Sequence, residues 1–232
     1  MITPPVDALV ITPHPDDAEF GVAGTVARWI REGKTVVYCA VTSGDKGSSD
    51  INMKPETIAK IREREQRHAA KLLGVQEVVF LRYLDQTLED TPEFRKDIVR
   101  LIRKYRPHTV ITGDPYRRYI WHRDHRITGR TVLDAVFPYA RDILAYPDLL
   151  QEGLSPHKVK EVLLWATEDP NYYVDITDTF SLKMAALGCH KSQVGEKISP
   201  EMESFLWERA QNMASEQDFE LAEAFHREEV RW

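Results

Sequence analysis

Ala8-Leu9-Val10-Ile11-Thr12-Pro13-His14-Pro15-Asp16-Asp17 is the stretch on which the fold class turns. Its first four residues form an apolar run bounded by Asp7 and by Thr12-Pro13, which reads as a short buried strand. Residues 18–31 follow with helical spacing, marked by Phe20, Val26, Trp29 and Ile30, and Gly33 is placed to close that helix. Strand and helix then keep alternating. Residues 34–42 are rich in β-formers, and a polar, glycine-bearing loop occupies 43–50. Pro55 stands where a helix N1 proline would, ahead of a helix running to Leu73 and closed by Gly74.

Further strands are expected over 78–81, 109–112, 159–165 and 172–176. Further helices are expected over 92–105, from about Arg126, over 181–190 and over 200–216. Short apolar strands alternating with helices predict an α/β fold of three layers, a mainly parallel sheet with helices on both faces. Ligands bind such sheets outside the carboxyl ends of the strands. No repeat, low-complexity tract or long linker divides the chain, so residues 1–232 read as a single domain.

Bulk composition narrows the function classes. A chain of 232 residues buries enough surface to need no disulfide staples, and Cys39 and Cys189 are too few for a disulfide scaffold. With 31 basic and 37 acidic residues the formal charge is -6, which argues against a nucleic-acid partner. No stretch approaches the ~20 apolar residues of a membrane span, and the first residues lack the basic start of a secretory signal. A cytoplasmic protein is the expectation.

The chemistry concentrates in two clusters, each just after a predicted strand. In the first, His14 and Asp17 are three apart, so a tight turn stiffened by Pro15 can aim both at one point. Asp16 then points elsewhere. The bland alternative is helix capping by Asp16 or Asp17 ahead of Ala18. In the second cluster, His122-Arg123-Asp124-His125, the two histidines are again three apart and Asp124 can take a ring N–H. The bland alternative there is a solvated loop among Arg117, Arg118, Arg123 and Arg126. Two histidines and a carboxylate with an open position make the donor set of a catalytic metal.

These residues resemble the LmbE/PIG-L family of zinc-dependent N-deacetylases. The resemblance rests on His14-Pro15-Asp16-Asp17 with Ala18-Glu19-Phe20-Gly21, and on His122-x-Asp124-His125. Weaker matches follow in order: Thr42-Ser43-Gly44-Asp45-Lys46-Gly47, Arg62-x-x-Glu65, Tyr83-Leu84-Asp85 and His190-x-Ser192-Gln193. The resemblance implies a Rossmann-like fold with His14, Asp17 and His125 as metal ligands. It implies Asp16 as general base, His122 as electrostatic partner or general acid, and Asp124 as the residue orienting His122. It also implies a small-molecule N-acetylated amino sugar as substrate, Zn2+ as cofactor and a homo-oligomer, a hexamer among the options. Fe2+, Co2+ or Mn2+ fit the same ligands.

Three departures bear on substrate contacts rather than on the metal. Arg123 replaces the usual proline of the second motif, Ala18 intervenes before Glu19, and Trp121 stands where some members carry arginine. Arg62 and Asp85 are candidate sugar contacts, with a surface pair between Arg62 and Glu65 as the alternative. Tyr119 and Trp121 are candidates for an apolar wall or for packing, and His190 for a substrate contact or a helix-end role. Two rival readings use the same residues. A non-haem Fe(II) oxygenase would take the two-His-one-carboxylate set but expects a β-barrel pattern. A non-catalytic carbohydrate-binding protein would be favoured by a missing catalytic residue, and none is missing.

Overall fold

The computed structural model describes residues 4–231. Among these, the strands are β1 (Ala8–Thr12), β2 (Val36–Thr42), β3 (Glu77–Tyr83), β4 (Thr109–Gly113), β5 (Glu161–Trp165), β6 (Tyr172–Asp175) and β7 (Ala222–Glu229). They form one sheet in the order β3-β2-β1-β4-β5-β7-β6. Strands β1 to β5 pair in parallel, and β7 lies antiparallel between β5 and β6. Helices α1 (Asp17–Gly21) and α2 (Ala23–Arg31) follow β1, α3 (Pro55–Leu73) follows β2, α4 (Pro92–Tyr105) follows β3, and α5 (Arg123–Asp134) follows β4. Further helices are α6 (Asp148–Gln151), α7 (Phe180–Leu187), α8 (Lys191–Val194) and α9 (Pro200–Met213).

Every residue of β1, β2 and β4 is buried, as central parallel strands require. Successive side chains leave opposite faces, so the sheet builds two cores. Ala8 and Val10 join Val26, Trp29, Leu73 and Leu187 on one side. Leu9 and Ile11 join Phe94, Ile98, Ile102 and Val132 on the other. The expected three-layer arrangement is therefore present. No helix among the described residues is long and apolar enough to cross a membrane.

Several elements differ from expectation. The single helix expected over 18–31 is two, broken at Val22 (φ -142°). The break has a tertiary cause: α2 restarts with the Gly24 and Thr25 amides donating to the Glu223 carboxylate, at 3.0 and 2.7 Å. Strand β7 was not expected at all, because Glu and Ala favour helix when nothing else decides. Its place between β5 and β6 decides otherwise. The helix expected over 181–190 ends at Leu187, and α5 begins at Arg123 rather than near Arg126.

The strand order places the topological switch between β1 and β4, whose carboxyl ends open a crevice. The turn at His14 leaves β1 and the loop before α5 leaves β4, so both polar clusters border that crevice. Gly129 lets α5 sit close to it, since a Cβ there would lie 2.6 Å from the Gly113 carbonyl oxygen. Gly129→Ala must push α5 off β4. We expect a loss of about 1–3 kcal/mol, read as a lower thermal midpoint, and an unchanged midpoint would contradict this packing.

Candidate metal centre and active site

The turn after β1 is closed by Asp17. Its Oδ2 accepts the His14 backbone N–H at 2.9 Å and lies 3.0 Å from His14 Nδ1. Its Oδ1 lies 3.3 Å from Nε2 of His125, on the first turn of α5. Neither aspartate caps α1 through its side chain: Asp16, at the N-cap, makes no such bond, and Asp17 turns back to His14. The capping alternative is set aside. Donors held 2.0–2.1 Å from a tetrahedral ion are about 3.3 Å apart, close to both spacings here.

His14 has carboxylates on both ring nitrogens. Its Nε2 lies 3.2 Å from Asp85 Oδ1 and 3.4 Å from Asp124 Oδ2. Burial disfavours its charge, yet the bonds to Asp124, Asp17 and Asp85 hold the imidazole well above the usual histidine range. Burial likewise opposes ionisation of Asp17, but His125 and His14 outweigh it and keep that carboxyl well below the ordinary range. For His125, burial lowers the pKa, which favours the neutral ring that a metal ligand needs. This nest of carboxylates and imidazoles suits a divalent cation, with Asp17 at Nδ1 of His14 and Asp85 and Asp124 at Nε2.

A second donor combination needs weighing. Nitrogens of His14, His122 and His125 lie within 4.8 Å of one another. The His122 side chain, however, is 40% exposed, whereas that of Asp17 is only 13% exposed, ionised and within reach of both other donors. We propose Asp17 as the third ligand, with His122 outside the donor set.

Asp16 sits beside this centre in a left-handed backbone conformation (φ 101°), which costs a non-glycine residue about 1–3 kcal/mol. Its carboxyl is pushed up to about 7, first by burial and then by the charge of Asp17, with the Arg62 guanidinium pulling the other way. A carboxylate poised near neutrality is suited to exchanging protons.

Several expected roles are corrected. Asp124 does not orient His122 through its carboxylate, which instead accepts the Gln86 amide at 2.7 Å and braces His14. The contact to His122 runs through the backbone: His122 is the N-cap of α5, and its Nδ1 accepts the Asp124 N–H at 3.2 Å. Asp85 is buried beneath His14 rather than open to a sugar. Arg62 is buried too, donating to the carbonyls of Pro15 (2.6 Å) and Gly44 (3.1 Å) and lying 3.3 Å from Asp16 Oδ2. A Cβ on Gly44 or Gly47 would run into that guanidinium, so the glycine-bearing loop is shaped around it. Glu65 pairs with Ser192 instead.

His190 is fully buried, with Nε2 3.0 Å from Glu19 Oε2, and so cannot touch substrate. Tyr119 and Trp121 are 69% and 89% exposed on the loop before α5, so neither ring is packed within the chain. Sequence reasoning did not single out Gln66, which bonds the Asp16 amide, or Trp165, whose ring meets His125 edge-on at 6.1 Å. Gln66 carried one signal, a polar residue four after Arg62 on the same face of α3.

Comparison with known proteins identifies the family. The PIG-L family profile, described as GlcNAc-PI de-N-acetylase, matches residues 9–136. The chain is 37% identical over 198 residues to the diacetylchitobiose deacetylase of Thermococcus kodakarensis, covering 85% of this chain and 74% of that protein. It is 30% identical over 190 residues to a Bacillus cereus protein named "probable N-acetyl-alpha-D-glucosaminyl L-malate deacetylase 2", covering 80% of this chain and 82% of that one. Its fold matches the N,N'-diacetylchitobiose deacetylase of Pyrococcus horikoshii with a TM-score of 0.91 at 34% identity, covering 96% of this chain and 83% of that chain.

The ligand assignment predicts the outcome of calorimetric titration with Zn2+. Wild-type protein should bind one ion per chain, and Asp17→Ala and His125→Ala should lose that binding. His122→Ala should keep it. Loss with His122→Ala but not Asp17→Ala would install the three-histidine set instead. Asp124→Asn should weaken affinity about 10–100-fold through His14.

Proposed function

The chain belongs to the PIG-L family, and on that footing we propose that it hydrolyses the N-acetyl group of an N-acetylglucosamine-type amino sugar, giving acetate and a free amine. The observation that carries this reading is the pairing of two adjacent carboxylates with opposite tasks. Asp17 is held ionised between two imidazoles, and Asp16 is raised to about 7 beside it. We treat residues 1–232 as one catalytic domain, because a single sheet edge carries both clusters.

His14, Asp17 and His125 would hold Zn2+, and the same donors accept Fe2+, Co2+ or Mn2+. When bound, such an ion polarises a carbonyl and lowers the pKa of water. The remaining chemistry belongs to side chains. Asp16 takes the proton from the attacking water, its carboxylate steadied by Arg62. The water oxygen bonds to the acetyl carbon as the carbonyl oxygen gains charge. His122 accepts the Asp124 N–H at Nδ1, which leaves its own proton on Nε2, and that N–H faces the oxygen and stabilises it. When the C–N bond breaks, the amine nitrogen receives a proton from Asp16 or His122. Tyr119 and Trp121 offer exposed rings against which a sugar face can lie.

The rival readings lose ground on specific observations. The oxygenase reading expects a β-barrel, whereas the sheet is open and mainly parallel. A purely sugar-binding role leaves the elevated pKa of buried Asp16 without a use.

Two measurements test the proposal. Asp16→Asn should bind Zn2+ normally yet release acetate from N,N'-diacetylchitobiose about 10²–10⁴-fold more slowly, and undiminished turnover would remove Asp16 as base. Arg62→Met removes a cation that favours the ionised Asp16. The acid limb of its kcat/KM profile should therefore move to higher pH, and a limb that stays put or moves down would refute the coupling.

A further inference from the structure

Behind the crevice a line of fully enclosed polar groups ends on the backbone of Asp16. The Asp16 amide donates to Gln66 Oε1 at 2.9 Å. Gln66 Nε2 lies 2.9 and 3.0 Å from the two oxygens of Glu19, and Glu19 Oε2 lies 3.0 Å from His190 Nε2. Glu19, Gln66 and His190 are all buried. The amide of Gln66 can face only one way. Its NH2 must meet the carboxylate, so its oxygen must meet the Asp16 N–H, and the flipped form would set donor against donor and acceptor against acceptor.

We infer that Gln66, oriented by Glu19 and by His190 behind it, is a positioning residue that holds Asp16 in its left-handed conformation and so sets the direction of its carboxylate. Two residues of α3, four apart, grip the same turn. Arg62 takes the Pro15 carbonyl and the Asp16 carboxylate, and Gln66 takes the Asp16 amide. The Glu19 and Phe20 amides hold the Asp16 carbonyl and Arg62 its carboxylate, but the bond to Gln66 is the one that fixes the Asp16 amide against relaxation of φ from 101° to the negative values that a non-glycine residue prefers. Such a rotation swings the carboxylate while leaving Asp17 tied to His14 and His125. A buried carboxylate such as Glu19 is costly, and an apolar side chain would fill its place more cheaply. Orienting an amide is a task that an apolar side chain cannot do.

The inference rests on Asp16 acting as the base, and Gln66→Met tests it by removing the acceptor at near-constant length. Zn2+ stoichiometry and KM for N,N'-diacetylchitobiose should stay within about two-fold of wild type, while kcat falls roughly 10–100-fold. Added to Asp16→Asn, the same substitution should change the residual kcat by less than about two-fold, because the group being positioned is gone. Unchanged kcat in the single variant, or an equal loss in both backgrounds, would overturn the inference. Should Gln66→Met not fold, Gln66→Glu serves: it sets a like charge against Glu19 and should also lower kcat. A wild-type protein inactive on every N-acetylated sugar would defeat the deacetylase reading but not the geometric claim. That claim is read from the crystal structure of the variant: Asp16 relaxed to negative φ supports it, and Asp16 retained near 101° refutes it.

Discussion

The carboxylate of Asp17 has one oxygen on His14 and the other by His125, and this bridge ties the turn after β1 to the helix after β4. Those are the two elements on either side of the topological switch. A sheet whose order reversed elsewhere would carry the two clusters to separate edges. The bridge also needs α5 close to the sheet, which Gly129 permits by resting against the Gly113 carbonyl. Strand order brings the donors to one crevice, and a missing Cβ brings them within contact.

Two adjacent aspartates then diverge because their surroundings do. Burial presses both toward the neutral acid. Asp17 escapes through two imidazoles, whereas Asp16 has one guanidinium at 3.3 Å and the charge of Asp17 as a neighbour. The left-handed φ at Asp16 separates them spatially, turning one carboxylate into the donor cluster and the other toward α3. A histidine braced by Asp85 and Asp124 completes the division, since an acid expected to meet a sugar and one expected to orient His122 both lie against His14.

Much of this was legible in the sequence wherever local physics governs. Helix α3 lies between Pro55 and Gly74 as expected, because a proline fixes one end and a left-handed glycine (φ 86°) the other. The apolar runs of β1 and β4 stood out because both of their faces are covered. The two histidine clusters were visible from residue type and spacing. What stayed hidden is direction. Arg62, Asp85 and His190 are candidate sugar contacts in the sequence, with a Glu65 pair as the alternative for Arg62 and a helix-end role for His190, and each points inward to a partner that is distant in sequence. Strand β7 was hidden for the same reason: its Glu- and Ala-rich composition favours helix, and only neighbours on both sides make it a strand.

The family profile ends at residue 136, and the proposed ligands and base all precede that limit. Support for them comes from beyond it. Glu223 of β7 caps the restarted α2 and pairs with buried Lys183, which also donates to the Phe20 carbonyl at 2.8 Å. The rings of Trp165 close against Gly21, where a Cβ would lie 2.8 Å away. His190 reaches Glu19, while Ser192 and Gln193 fasten Glu65 and the Gly47 carbonyl. Each contact falls on α1, α2, α3 or the glycine-bearing loop, the elements that carry or enclose the His14–Asp17 turn. Apart from Trp165, whose ring meets His125, these residues after 136 therefore act on the site without entering it, by fixing the backbone from which the first cluster projects.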